Sequence, residues 1–157
     1  MKLSLEEKRV IDKYLYKYKG WERLRKTCIE EAEWISARYG GKSASDFSDI
    51  AELGTSIQTS NPPSSPQERV YSHKIRIMRE QQDYAAILTM RMRRVERAME
   101  DMDLLTRRLV EERYFNRKSM EECINSINGI DSNIYTRKIS EIREALCPYV
   151  LGVFVAD

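Results

Sequence analysis

Between Gln67 and Asp103 the chain contains neither glycine nor proline, and Tyr71, Ile75, Met78, Ala85, Leu88, Met92, Val95, Met99 and Met102 recur mainly at steps of three and four residues. That period lines one side of an α-helix and cannot line one side of a strand. One long central helix over 67–102 follows, introduced by Pro66, whose fixed φ and missing N–H suit an early helical position. The stripe skips Gln82 and tightens between Ala85 and Leu88, so a strict two-stranded heptad is not encoded. Its width and its methionines fit packing against another part of the chain or against a second subunit.

Upstream, Leu5, Val10, Ile11, Tyr14, Leu15 and Tyr18 repeat the same steps, with Ser4 placed as an N-cap and Glu6 and Glu7 in the first turn. Gly20 interrupts this segment. A second stripe of Trp21, Leu24, Cys28, Ala32, Ile35 and Tyr39 then runs to Gly40-Gly41, a pair suited to ending a helix. Two amphipathic segments around a glycine predict an N-terminal helical hairpin over 1–40. Residues 41–66 change to Gly, Ser, Thr and Asp with Pro62, Pro63 and Pro66, and read as a flexible linker with at most one helical turn near Phe47–Leu53. The expected fold class is all-α.

Composition excludes more than it assigns. No apolar run reaches the roughly 20 residues a bilayer-spanning helix needs, and acids stand where a signal peptide would be apolar, which predicts a cytoplasmic protein. Cys28, Cys123 and Cys147 are scattered and have only His73 to help them, so no zinc site is expected and the thiols read as small buried groups. Gly41-Lys42-Ser43 resembles the end of a phosphate loop, but Ser36 stands where the motif needs its first glycine. His73 has no nucleophile or orienting partner, and the adjacent acids Glu30, Glu31 and Glu33, like Glu121 and Glu122, point to different parts of a helix surface. No enzyme and no cofactor is expected.

The net charge of +2 is too small to indicate nucleic acid, but its distribution is uneven. Residues 69–118 carry 13 basic against 8 acidic side chains, whereas 119–157 carry 3 against 6.

The segment from Asp103 to Leu146 bears the strongest functional signal. It reads as three short helices, the first with Leu104, Leu105, Leu109, Tyr114 and Phe115 inward and Arg107, Arg108 and Arg113 outward. Ser119 with Glu122 forms a capping box for the second, which buries Cys123, Ile124 and Ile127. Asn128-Gly129 turns the chain, Ile130 plugs the core, and Asp131 or Ser132 caps the third. There Ile134, Tyr135, Ile139, Ile142 and Leu146 alternate with Asn133, Thr136, Arg137, Lys138 and Arg143. Two helices joined by a short glycine-containing turn are a helix-turn-helix, whose second member can enter a DNA major groove. The unit is expected over 103–147, followed by an apolar tail at 148–157 that folds back on the core or on a partner.

The order Arg113-Tyr114-Phe115, Ser119 to Glu122, Asn128-Gly129-Ile130 and Tyr135 to Lys138 resembles the promoter-reading helix-turn-helix of sigma factors. With the Ser60-Asn61-Pro62 linker, the long helix and Tyr114-Phe115-Asn116, the chain is similar to phage late transcriptional regulators of the RinA and ArpU type. Ile124 stands where that pattern has a small residue, which predicts a wider crossing of the two helices, and the Ile127–Asp131 connection is one residue longer than its usual turn.

The resemblance implies a sequence-specific DNA-binding regulator acting in a bacterial host cell on double-stranded DNA. Host RNA polymerase and a second copy of the chain, joined through the long helix, are its further expected partners. Ser132, Asn133, Thr136 and Arg137 would face base edges, while Lys138, Arg107, Arg108, Arg113, Arg117 and Lys118 would hold phosphates. The alternatives are a small terminase-like DNA-packaging protein, which would form a ring, and a phage-encoded modulator of a host protein without DNA affinity.

Overall fold

A first helix, α1, runs unbroken from Leu5 to Ile35 and ends in a π-helical turn at Ser36–Gly40. In this computed structural model residues 2–40 and 66–152 are described, and all regular structure among them is helical. The linker expected at 41–66, with its helical turn near Phe47–Leu53, lies outside the described residues, apart from Pro66. That residue opens α2, Pro66–Glu100. Next come α3, Leu104–Val110, continued by a π-helical turn at Glu111–Phe115, then α4, Met120–Ser126, and α5, Ser132–Val150.

The expected N-terminal hairpin is corrected by α1, which passes through Gly20 without a break. The reason lies in the phase of the apolar stripe. Ile11, Leu15 and Tyr18 before the glycine and Trp21, Cys28, Ala32 and Ile35 after it are all buried along one continuing helical face. A glycine in a helix interior costs about 1 kcal/mol relative to alanine, whereas each large side chain kept buried contributes about 1.5–3 kcal/mol. Burial wins, and α1 continues through Gly20 as one helix.

The chain divides into two compact units, Leu24–Leu88 and Met1–Arg23 with Thr89–Asp157. In the first, Cys28, Ala32 and Ile35 of α1 and Ile75, Ala85 and Leu88 of α2 are buried, and the Tyr39 and Tyr71 rings meet edge to face at 6.2 Å. In the second, Ile11, Leu15, Tyr18 and Trp21 of α1 and Met92, Val95 and Ala98 of α2 join the cores of α3 to α5. Tyr18 Oη donates to Glu96 at 2.8 Å and Tyr14 Oη to the Arg91 carbonyl at 3.2 Å, fixing the register of α1 against the end of α2. Ser4 and Glu7 form a reciprocal capping box that starts α1.

Two further expectations are corrected. Leu104 is 82% exposed: Asp103 caps α3, its carboxylate accepting from the Thr106 N–H, and that phase turns Thr106, Leu109 and Val110 inward instead. The apolar tail does not begin at Pro148, because α5 continues through this proline to Val150. Proline so near a C-terminus forfeits one helical hydrogen bond and leaves only the last turn to follow. Residues 153–157 lie outside the described residues.

Cys28, Cys123 and Cys147 are buried free thiols, and burial pushes each of them up from the usual thiol range.

Candidate nucleic-acid interface

The three-helix region is assembled from local signals. Ser119 accepts from the Glu122 N–H at 3.2 Å, and its hydroxyl donates to the Glu122 carboxylate. Ile127 and Ile130 are buried on either side of Asn128-Gly129, where Gly129 takes φ +89°, a conformation that a side chain would strain. Asp131 then caps α5, its carboxylate accepting from the Ile134 N–H at 2.8 Å. From there Tyr135, Ile139, Ile142 and Leu146 face the core, so the opposite side of α5 is necessarily the polar one.

The four residues expected to face bases lie together on that exposed side. Ser132, Asn133, Thr136 and Arg137 are all exposed, and Ser140 extends the row by one step. The exposed Thr136 side chain donates its hydroxyl back to the Ser132 carbonyl at 2.9 Å. Asn133 and Arg137 have no side-chain partner among the described residues.

The six cations expected on phosphates are placed differently from one another, and each has a partner within the protein. Arg107 donates to the Met99 and Glu100 carbonyls, at 2.9 Å and 2.5 Å, and so caps the C-terminus of α2. Arg108 donates to the Ser126 carbonyl at the end of α4, and Arg113 to the Lys118 carbonyl. Arg117 reaches the Tyr16 carbonyl from a left-handed backbone, φ 55°, and together with Arg113 approaches the Tyr16 ring. Lys118 pairs with Glu112. Arg107 and Arg113, expected outward, are half-buried by these contacts.

Lys138 bridges Asp103 at 3.2 Å and Glu141 at 3.1 Å, with only 12% of its side chain exposed. Its ammonium is held above the usual lysine range, first by the Glu141 bond and then by Asp103. The hydrogen bond from Thr106, with Lys138 beside it, lowers Asp103 to about 2. Lys138 thus ties the cap of α3 to α5.

A second tie joins α1 to α5. Asp12 receives Arg143 Nε at 3.0 Å and Nη2 at 2.7 Å, and also the Tyr114 hydroxyl at 2.9 Å. Burial, then the neighbouring Asp12 charge, drives the Tyr114 phenol well above its ordinary range, so it stays a neutral donor.

Two residues that sequence reading missed stand beside α5. Lys2 and Lys8 line a recess with Leu3, Ser140, Arg143 and Glu144. They lie more than 130 positions from Ser140, and no local pattern marks them. The larger cleft, between α1, the end of α2 and the turn at Phe115, is lined by Glu22, Glu96, Glu100 and Glu111 against Lys19 and Arg107. Its acidic balance disfavours phosphate. Among the described residues no group of three or more acidic, histidine or cysteine side chains could hold a metal ion, and no helix is long and apolar enough to cross a membrane.

Comparison with models of known protein families, with characterised proteins and with solved structures finds no match to this chain.

Proposed function

We propose that the protein is a sequence-specific DNA-binding transcriptional regulator, of the phage late-activator kind that its sequence resembles, and that it presents the amino-terminal half of α5 to the major groove. The observation that carries this reading is the exposed row Asn133, Thr136 and Arg137, on a helix whose other side is buried and whose start is fixed by Asp131. Arginine suits the paired acceptors of guanine, asparagine the acceptor–donor edge of adenine, and a threonine methyl the thymine methyl. Double-stranded DNA in a bacterial host cell is the partner, with host RNA polymerase as the further contact of an activator.

The cations that tie α2, α3 and α4 together serve this reading indirectly, by holding the helix that reads. Titration of labelled duplexes selected from a random pool tests it. Wild type should choose a consensus, and Asn133→Ala or Arg137→Ala should relax that choice. A wild type that binds no duplex at low salt overturns it.

A second reading, an interaction protein without DNA affinity, draws on Leu24, Ile29 and Trp34 of α1 and Val70, Tyr84, Ile87 and Met90 of α2, all large apolar side chains left exposed. A homodimer through the long helix would use the same α2 side chains. Solution mass separates a monomer or dimer from the ring that a packaging protein would form.

A further inference from the structure

We propose that Lys2 and Lys8 form a backbone-phosphate site flanking the reading helix, on the same DNA duplex whose bases α5 would contact. The inference rests on the DNA-binding reading and adds to it the residues that supply the charge. A recess of about 170 Å³ lies between the start of α1 and the middle of α5, lined by Lys2, Leu3 and Lys8 on one side and Ser140, Arg143 and Glu144 on the other. Ser140 follows Asn133, Thr136 and Arg137 at helical steps on the exposed side of α5.

From Asn133 to Ser140 the helix rises roughly 10 Å at about 1.5 Å per residue. The major groove is about 12 Å wide. A helix seated over Asn133 to Arg137 therefore brings Ser140 and its neighbours to the groove edge, where the phosphates run.

The charges there are unspent. Neither Lys2 nor Lys8 has a side-chain partner among the described residues, whereas Arg107, Arg108, Arg113, Arg117, Lys118 and Lys138 are all engaged within the protein. Arg143 in the same recess is held by Asp12, and Glu144 offsets one positive charge. The two lysines thus leave a surplus of one positive charge facing the edge of the polar row. Their position is fixed: Leu3 between them is buried, and the Ser4–Glu7 capping box pins the first turn of α1. An anionic polymer lying along α5 meets these two ammonium groups before any other free cation of the recess.

The test uses the full chain and a labelled 30-base-pair duplex of random sequence, with affinity measured by fluorescence anisotropy across salt concentrations. Replacing both lysines (Lys2→Ala with Lys8→Ala) should make the slope of log K against log salt shallower by about 1.8, at about 0.9 per phosphate contact. Near 0.1 M salt the affinity should fall by about fivefold to tenfold per lysine on every sequence, without changing discrimination between sequences. Lys2→Arg with Lys8→Arg should restore both. Thermal melting of each variant should match wild type, since neither side chain has a partner among the described residues.

A wild-type slope retained by the double alanine variant overturns the phosphate site and leaves the reading helix standing. A change in sequence preference without a change in slope also overturns it. Absence of any duplex binding by wild type overturns both proposals.

Discussion

Asp12 and Arg143, 131 positions apart in the chain, meet in a two-pronged ion pair, Nε on Oδ1 at 3.0 Å and Nη2 on Oδ2 at 2.7 Å. Tyr114 completes it from the turn that follows α3. The two charged side chains are each about one quarter exposed, so the pair is neither a solvent-screened surface contact nor a fully desolvated one. Asp12→Ala should cost about 1–3 kcal/mol, because it strands a charged donor and a phenol at once. A double-mutant cycle with Arg143→Ala, read by urea unfolding, should give a coupling of about 0.5–3 kcal/mol. Additive losses would show that the pair contributes nothing beyond packing.

The same cluster predicts an alkaline limb. Tyr114 is raised in the folded state, so the unfolded chain loses its phenolic proton first. The contribution is complete below the ordinary tyrosine value of about 10 and is lost as pH rises above it. Tyr114→Phe should flatten stability measured between roughly pH 9 and 11 relative to wild type. An unaltered alkaline limb would refute this assignment.

At the acid end the group is Asp103, lowered to about 2 by the Thr106 hydrogen bond, with Lys138 assisting. A lowered carboxylate contributes stability above its unfolded value of about 3.9, and that contribution fades as pH falls toward about 2. Asp103→Ala should cost about 0.5–2 kcal/mol at neutral pH through the lost cap, and should reduce the drop in stability between pH 4 and 2. Lys138→Ala should share the second effect. If both variants track wild type across that range, Asp103 does not link α3 to α5.

Gly20 gives a test of the fold. A Cβ built there meets nothing within 4 Å, and the residue lies inside α1. Gly20→Ala should therefore stabilise the protein by about 0.5–1 kcal/mol. In a hairpin broken at this glycine the same change would destabilise, so the sign of the shift in melting temperature decides between the two architectures.

These residues also show which features local sequence encodes. Ser119, Gly129 and Asp131 act within four residues of themselves, so the start of α4, the turn and the start of α5 were legible, as was the long stripe of α2. Gly20 is legible only in context: the apolar stripe keeps its phase across it, so a single residue's propensity does not end the helix. For Arg107 and Lys138 the local sequence says less. A basic side chain reads alike whether it awaits a phosphate or caps a carbonyl, and only the fold shows that Arg107 closes the end of α2. Lys2, Lys8 and the Asp12–Arg143 pair were invisible, because their neighbours come from the far end of the chain.

Whether α5 reads base edges is tested most directly by Arg137→Ala, in anisotropy titrations on a duplex selected by the wild-type protein and on the same duplex with single base changes. Arg137 is exposed and has no partner among the described residues, so its removal should leave the melting curve unchanged. A base-reading Arg137 gives a loss of about 1–3 kcal/mol on the selected duplex and a smaller loss on one altered duplex, so that discrimination at one base pair collapses. An equal loss on every duplex, or no selected duplex to begin with, would contradict it.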